Sequence, residues 1–391
     1  MVIGIDASRA NQVRRTGTEW YAFHVINEII RRLEPTDRVI LYVKDKLVSD
    51  WPAFTSQVSV RILRWPPQFM WTQFRLAWEM LWHAPDVLFV PAHTIPIICP
   101  RKTITTLHDI GFEFFPELYS QHTIGPRWLD HALRLVSFNT IRSDELSYHR
   151  WSARVALRKA ARIITVSEFS KMEIAHHYSV DPTRILVIPC GFNREYAPIP
   201  EENRKFFCDK YKLNRKFFLF IGRIEMKKNI INMVKGFEIF SKKHRDFDFV
   251  LAGTPGYGFE SIDQVIQKSA VKSNIRQLGW LPTEEMPTLM NSAHAFIFVT
   301  AYEGFGIPNL EAMASGVPVL TSSHGATAEV VGDAALTVDP QNAELIAQAM
   351  ERIAFDESLR SELTKKATRR IERFSWGTAG TGVLKVIKEL V

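Results

Sequence analysis

Two carboxylates stand eight positions apart in the stretch TAYEGFGIPNLEAMASGVPV, Thr300 to Val319. Glu303 and Glu311 bracket a segment with no other charge, and Gly304 and Gly306 within it let a backbone approach a ligand closely. A carboxylate can accept two hydroxyl hydrogens at once, so a polyol such as a sugar or a ribose suits the pair. The preceding FIFVT reads as a buried strand, which places the loop at that strand's carboxyl end. Pro308 fits the first helical position and Gly316 the position just past the end, so the spacing predicts a helix over Pro308 to Ser315. Glu303 then lies in the loop and Glu311 in or near the first turn, and the helix's free amides offer donors to a phosphate.

Cations stand at a second strand end. FLFIGRIEMKKNI, Phe217 to Ile230, closes a strand at Gly222 and follows it with Arg223 and Lys228. Cations there suit a diphosphate and the charge that develops on it as it leaves. The plainer reading is two solvated cations near a helix start. His108 closes another buried strand in TITTLHDIGFEFFPELYS, where a structural histidine is the plainer alternative to a catalytic one. Gly17, in RRTGTEWYAFHVINEI, precedes a helix after the first strand, where a backbone amide could meet a phosphate or sugar; the GxGxxG dinucleotide fingerprint is absent there. AGTPGYGFE, Ala252 to Glu260, reads as a turn after a strand. Ser167 and Ser170 in VSEFSKME read as helix caps, with Glu173 three residues after Ser170.

These residues need strands and helices to place them. Short β-branched and aromatic runs recur along the chain, at Val2-Ile5, Arg38-Val43, Val58-Leu63, Asp86-Val90, Thr103-Leu107, Arg162-Val166 and Ile185-Pro189, then at Phe217-Ile221, Phe247-Ala252, Arg276-Leu278, Ala295-Val299, Pro318-Thr321 and Ala335-Val338. Several, such as VILYV and FLFIG, are apolar on both alternations, as strands covered by helices on both faces are. Alternation with helical segments predicts an α/β fold of two Rossmann-like, doubly wound domains facing a cleft. The boundary falls near REYAPIPEENRKFF, where Pro198 and Pro200 sit in a charged, weakly periodic segment. Residues 121–160 form a long, basic helical stretch outside this alternation. Trp71, Phe74, Trp78 and Trp82 recur at helical spacing, and packing against the sheet is favoured there over membrane or acceptor contact.

A chain of 391 residues, 46% hydrophobic and 23% charged, is a globular protein too long for one ordinary core. Its net charge of +7 favours an anionic ligand or an anionic membrane surface. Zinc-finger spacing, a basic zipper and RNP-type aromatics are absent, so nucleic acid is not an expected partner. Cys99, Cys190 and Cys208 are scattered and make no CxxC pair, which fits a reducing cytoplasm. No signal-peptide pattern and no run of about 18 apolar residues are found.

Together these segments resemble the retaining GT-B glycosyltransferases of family 4 (glycosyl transferases group 1). GIDASR, RTGTEWY, TTLHDI, ITVSEFS, GRIEMKKN, EGFGIPNLEAMASGVPV and AEVVGDAAL occur in the family's order, over nearly the whole chain. The resemblance implies an acceptor-side domain over 1–197, a nucleotide-sugar domain over 198–375 and a final helix, 376–391, crossing back to the first domain. It implies that Arg223 and Lys228, beside Gly222, hold the donor diphosphate and that Glu311 accepts the ribose hydroxyls. Glu303 would bind a donor-sugar hydroxyl, with Gly304 and the amides of Phe305, Gly306 and Ile307 near the sugar and that of Leu310 near the phosphate. His108 would reach the sugar ring, and Gly17 the phosphate or acceptor. Many relatives carry a second glycine where this chain has Glu19, so Glu19 is a candidate acceptor contact. The implied activity is metal-independent transfer of a hexose, first mannose, from GDP-mannose or a UDP-sugar to a glycan or lipid-linked acceptor, without another cofactor. The setting is cytoplasmic, with peripheral contact at the inner membrane face. An epimerase or hydrolase of the same architecture, or a non-catalytic nucleotide-sugar binding protein, are the alternatives.

Overall fold

A computed structural model of the chain describes residues 1–65, 69–119 and 144–391. Much of the basic stretch expected over 121–160 therefore lies outside the described residues. The chain divides into two compact units, Met1–Gly191 with Ser375–Val391, and Phe192–Phe374.

The first unit holds a parallel sheet of β1 (Val2–Asp6), β2 (Arg38–Val43), β3 (Val58–Ile62), β4 (Val87–Val90), β5 (Thr103–Thr106), β6 (Arg162–Thr165) and β7 (Ile185–Val187). Their order is β3-β2-β1-β4-β5-β6-β7, so the chain winds one way from β1 and the other way from β4. Helix α1 (Gly17–Ile30) follows β1, α2 (Ala77–Trp82) precedes β4, and α3 (Glu145–Lys159) and α4 (Glu168–Tyr178) flank β6. The second unit repeats the plan with β8 (Lys216–Ile221), β9 (Phe247–Ala252), β10 (Ile275–Gly279), β11 (Ala295–Phe298), β12 (Val319–Ser322) and β13 (Leu336–Val338), in the order β10-β9-β8-β11-β12-β13. Helices α5 (Ile230–Ser241), α6 (Phe259–Lys268) and α7 (Ile307–Ala314) follow β8, β9 and β11.

Burial explains the strand composition. Every residue of β9 is buried, Phe247, Phe249 and Leu251 on one face and Asp248, Val250 and Ala252 on the other. Such a strand suits only a sheet covered on both sides. Emptying one of these sites, as Phe249→Ala would, costs about 3–5 kcal/mol.

The last helix, α8 (Trp376–Lys388), belongs to the first unit and lies along α1. Trp376 stacks on His24 at 4.8 Å between ring centroids. A Cβ on Gly380 would come within 2.3 Å of the Glu28 side chain, so glycine permits the close approach. Among the described residues no helix is long and apolar enough to cross a membrane.

Candidate active site

In the second unit the strand order reverses between β8 and β11, and ligands of open α/β sheets bind outside the carboxyl ends of strands at such a point. Arg223 and Lys228 follow β8, and Glu303 follows β11. The loop after β8 is held by the loop after β9. The amides of Gly222, Ile224 and Met226 donate to the carbonyls of Ala252, Thr254 and Tyr257 at 2.9–3.0 Å, and Gly256 returns a bond to Ile224. Gly253, at φ +147°, allows this crossing, since a Cβ there would lie 1.8 Å from the Gly222 carbonyl oxygen. AGTPGYGFE is thus the brace of the Arg223 loop, and it opens a helix: Gly258, at φ +75°, leads into α6. A turn alone was expected because the glycine order resembles no phosphate loop.

Asn229 fixes Lys228. It adopts φ +57°, and its side-chain amide donates to the Val299 and Pro340 carbonyls at 2.9 and 2.7 Å, tying the start of α5 to the end of β11. Lys228 Nζ meets Glu303 Oε1 at 2.5 Å, each side chain only 14% exposed, and lies 5.6 Å from the Phe298 ring centroid. Arg223 is more open, and its Nε stands 3.7 Å from the buried Glu225, which also faces Lys227. Glu225 had no signal in the sequence beyond its place in the loop.

Helix α7 begins one residue before the expected Pro308, which takes the second position, and it ends at Ala314 with Gly316 at φ +71° beyond. Gly306, at φ +94°, precedes it. Phe305 packs on Phe374 with centroids 5.8 Å apart and Leu310 is wholly buried, so these two can offer a ligand only their backbone. Ile307 and Gly304 lie in the same loop-to-helix turn, Gly304 buried and Ile307 partly so. Glu311 is the fifth helical residue and stands beyond the first turn. Burial pushes its carboxyl up to about 7, opposed by a hydrogen bond with the Tyr196 hydroxyl. Tyr196 is itself pushed well up by burial and then by this carboxylate. It is a residue that spacing could not pair with Glu311, 115 positions away.

The first unit reverses its winding between β1 and β4, and a cavity of about 290 Å³ opens there. Asp6 lines it at the end of β1 and Ser8 and Arg9 just after, Ala92 and Thr94 after β4, and Glu19, Lys44, Trp71 and Tyr148 from the sides. Asp6 is 5% exposed; burial raises its carboxyl, against hydrogen bonds from Ser8 and the charges of Lys44 and Arg9. The Thr94 hydroxyl is buried without a hydrogen-bond partner. Met70 lines the cavity in the left-handed region at φ +53°, and a π-helical turn, Thr72–Leu76, follows it. Strain and π-turns of this kind gather at functional sites.

Glu19 lines the same cavity but is also committed to the helix. It accepts from the Thr16 amide at 3.1 Å, closing a capping box at the start of α1. A Cβ on Gly17 would meet nothing within 4 Å, so packing does not require this glycine. His108 Nε2 donates to the Pro91 carbonyl at 3.4 Å and the ring meets the Tyr21 ring edge-on at 4.6 Å. Burial pushes its imidazole down to about 4, which the Asp109 carboxylate resists, so the ring is neutral near pH 7. At the start of α4 the cap is Ser167, whose hydroxyl accepts from the Ser170 amide at 3.1 Å; Ser170 lies inside the helix.

The aromatic stripe divides. Trp71 is 2% exposed and donates its indole N–H to the Leu63 carbonyl, whereas Phe74, Trp78 and Trp82 face solvent. Packing against the sheet therefore holds for Trp71 alone. Helical spacing gives one face, and only the tertiary structure shows that Phe74, stacked on Trp65, and Trp78 and Trp82 are exposed on it.

Residues 202–370 match the family model described as Glycosyl transferases group 1, and 17–196 match Glycosyltransferase Family 4. The O-antigen chain mannosyltransferase B of Escherichia coli is 28% identical over 81% of this chain and 77% of its own length. The O-antigen chain mannosyltransferase RfbU of Salmonella typhimurium is 27% identical over 67% of this chain and 63% of its own length. Among solved structures, Anabaena HepE in complex with UDP and glucose superposes with a TM-score of 0.73 at 16% identity. WaaG, a glycosyltransferase involved in lipopolysaccharide biosynthesis, gives 0.74 at 15%, and each pair covers 99% of both chains. At such identities these structures establish the fold.

Proposed function

The chain belongs to the group 1 glycosyltransferases of the GT-B fold, and from that premise we propose that it moves mannose from a nucleotide-diphosphate sugar, first GDP-mannose, to a hydroxyl of a glycan or lipid-linked glycan. The observation that carries this reading is the Lys228–Glu303 pair at the β8/β11 reversal. A cation and a carboxylate in contact at that point match a ligand that is anionic at one end and polyhydroxylated at the other. The O-antigen mannosyltransferases among the relatives favour mannose and a glycan acceptor.

In this reading Arg223 and Lys228 face the diphosphate and stabilise charge as the sugar's anomeric C–O bond breaks. The positive charge there removes the need for a divalent metal. The α7 amino end, with the amides of Phe305, Gly306, Ile307 and Leu310, adds donors. Glu303 orients the sugar through a ring hydroxyl, and Glu311 accepts from the ribose once Tyr196 yields its bond. The acceptor's sugar ring occupies the β1/β4 cavity, where the acids Asp6 and Glu19 and the orphaned Thr94 hydroxyl suit a polyol. Neutral His108 lends a hydrogen bond without adding charge, and Gly17 leaves its amide open. Attack on the face the diphosphate leaves gives a product of retained anomeric configuration. The enzyme works peripherally at the inner face of a membrane that carries its acceptor.

A thermal-shift series with GDP, UDP, ADP and their sugars tests the donor, because a ligand of the native state alone raises the melting temperature. GDP and GDP-mannose are expected to give the largest shifts. A UDP-sugar shift larger than that of GDP-mannose overturns the choice of base, and no shift with any of them removes the nucleotide-sugar reading. Sugar conversion or donor hydrolysis that proceeds unchanged without acceptor favours an epimerase or hydrolase instead.

A further inference from the structure

Two histidines adjoin the residues that line the β1/β4 cavity. His93 precedes Thr94, which lines the cavity after β4, and His149 follows Tyr148, which lines it from α3. A single N–H joins His93 Nε2 to His149 Nδ1 at 2.9 Å, across 56 positions of sequence. One hydrogen bond therefore ties together the neighbours of two cavity residues that come from different elements.

The surroundings leave this bond little slack. Phe112 lies against both rings, 5.8 Å from His93 and 5.7 Å from His149 between centroids, and it is stacked on the second. Its carbonyl accepts from Arg150, the next residue of α3. The Thr105 hydroxyl donates to the Ala92 carbonyl at 2.6 Å. Gln73 Nε2 donates to the Ile95 carbonyl at 3.0 Å and to the Tyr148 hydroxyl at 3.3 Å. Thr94 is thus flanked by anchored residues on both sides, while its own buried hydroxyl has no hydrogen-bond partner. A hydroxyl of a ligand would supply one.

The pair brings no charge to the cavity. Burial, and then His149, Arg9 and His108, hold the His93 imidazole well below its ordinary value, so this ring is neutral near pH 7. Glu145 stands 3.8 Å from His149 Nε2, on the side away from the shared hydrogen. Two apolar rings would pack against Phe112 as well, but a buried N–H···N bond also sets distance and rotation.

We propose that His93 and His149 are positioning residues for the acceptor: their shared hydrogen fixes the separation of the Thr94 and Tyr148 hydroxyls, and with it the spacing of the acceptor hydroxyls that the cavity takes. The proposal rests on the reading of this cavity as the acceptor site. Each imidazole acts through the residue beside it and needs no contact with the sugar.

His93→Phe keeps a ring against Phe112 and removes the bond, whereas His93→Gln returns a donor near the place of Nε2. The full chain is assayed with a mannose-terminated glycan at saturating GDP-mannose. His93→Phe should raise the acceptor KM about three- to tenfold, the scale of one hydrogen bond, with kcat and the rise in melting temperature given by GDP as in the wild type. His93→Gln should recover most of the loss. If His93→Phe does not fold, His149→Phe and His149→Asn are read in the same way. A wild-type KM in the phenylalanine variant, while Asp6→Asn raises it, overturns the role of the pair and leaves the cavity as the acceptor site. An acceptor KM unmoved in both variants removes the cavity reading and the proposal with it. Loss of kcat and of the GDP response together, or a glutamine variant no better than the phenylalanine one, assigns the pair to general stability and also overturns the proposal.

Discussion

Lys228 Nζ lies 2.5 Å from Glu303 Oε1, although 75 residues separate the two in sequence. Each comes from the carboxyl end of one of the two strands that flank the reversal of the second sheet. Each is largely covered, so removing one partner leaves a poorly solvated charge. Lys228→Met should lower stability by about 1–3 kcal/mol, with much of the loss recovered in the double variant carrying Glu303→Gln. Urea denaturation of the four proteins measures this coupling; a coupling of zero would mean the pair does not hold in solution.

Glu311 makes the protein's stability and its nucleotide affinity respond to pH in opposite directions. Its carboxyl, held near 7 in the ligand-free fold against an ordinary 4.5, binds a proton that the unfolded chain has released over that interval. Its contribution therefore favours folding below about 4.5 and is progressively lost as pH rises towards 7, amounting to about 3 kcal/mol. A ribose that donates to the carboxylate prefers the ionised form, so nucleotide binding should weaken as pH falls below about 7. Calorimetric titration from pH 8 to about 5.5 should show this decline in the wild type and a nearly flat, weaker affinity in Glu311→Gln. The same pH slope in the glutamine variant would assign the effect to another group.

Two glycines separate packing from ligand approach. Gly253→Ala forces a Cβ against the Gly222 carbonyl at a positive φ, and should lower stability by about 2–4 kcal/mol. Gly17→Ala meets open space at the start of α1 and should leave the melting temperature unchanged or slightly raised. If the amide of Gly17 faces a substrate, transfer falls in that variant with stability intact. A Gly17→Ala enzyme of normal activity assigns this glycine no role in binding.

The β1/β4 cavity predicts a split in kinetics. Asp6→Asn should raise the acceptor KM about tenfold to a hundredfold, the scale of one charged hydrogen bond, while the thermal shift given by the nucleotide stays as in the wild type. A change confined to the donor would place Asp6 elsewhere in the reaction.

Much of the fold is legible in the sequence because burial on both faces leaves a local mark. The run Phe247 to Ala252 is apolar enough on both alternations to be bounded correctly without the structure. Pro308 and Gly316 likewise bracket α7 to within a residue. Pairings across sheet order leave no such mark. Glu303 and Lys228 are each conspicuous in their loops, but their contact depends on β8 lying beside β11. Tyr196 and Glu311, or Asp6 and Thr94, meet for similar reasons. Phe74, Trp78 and Trp82 show the opposite limit: spacing identifies a helical face, and it does not say whether anything covers it.

The central claim, that the Lys228–Glu303 corner transfers a sugar from a nucleotide, is tested most directly by product formation from GDP-mannose and a mannose-terminated glycan. The wild type, Glu303→Gln and Arg223→Ala should be compared at saturating donor, with the anomeric configuration of the product read by NMR. The account predicts an α-linked product from the wild type and losses of about 10²–10³ in kcat in both variants, with GDP still raising their melting temperatures. Near-normal turnover in either variant, or an inverted product, would contradict it.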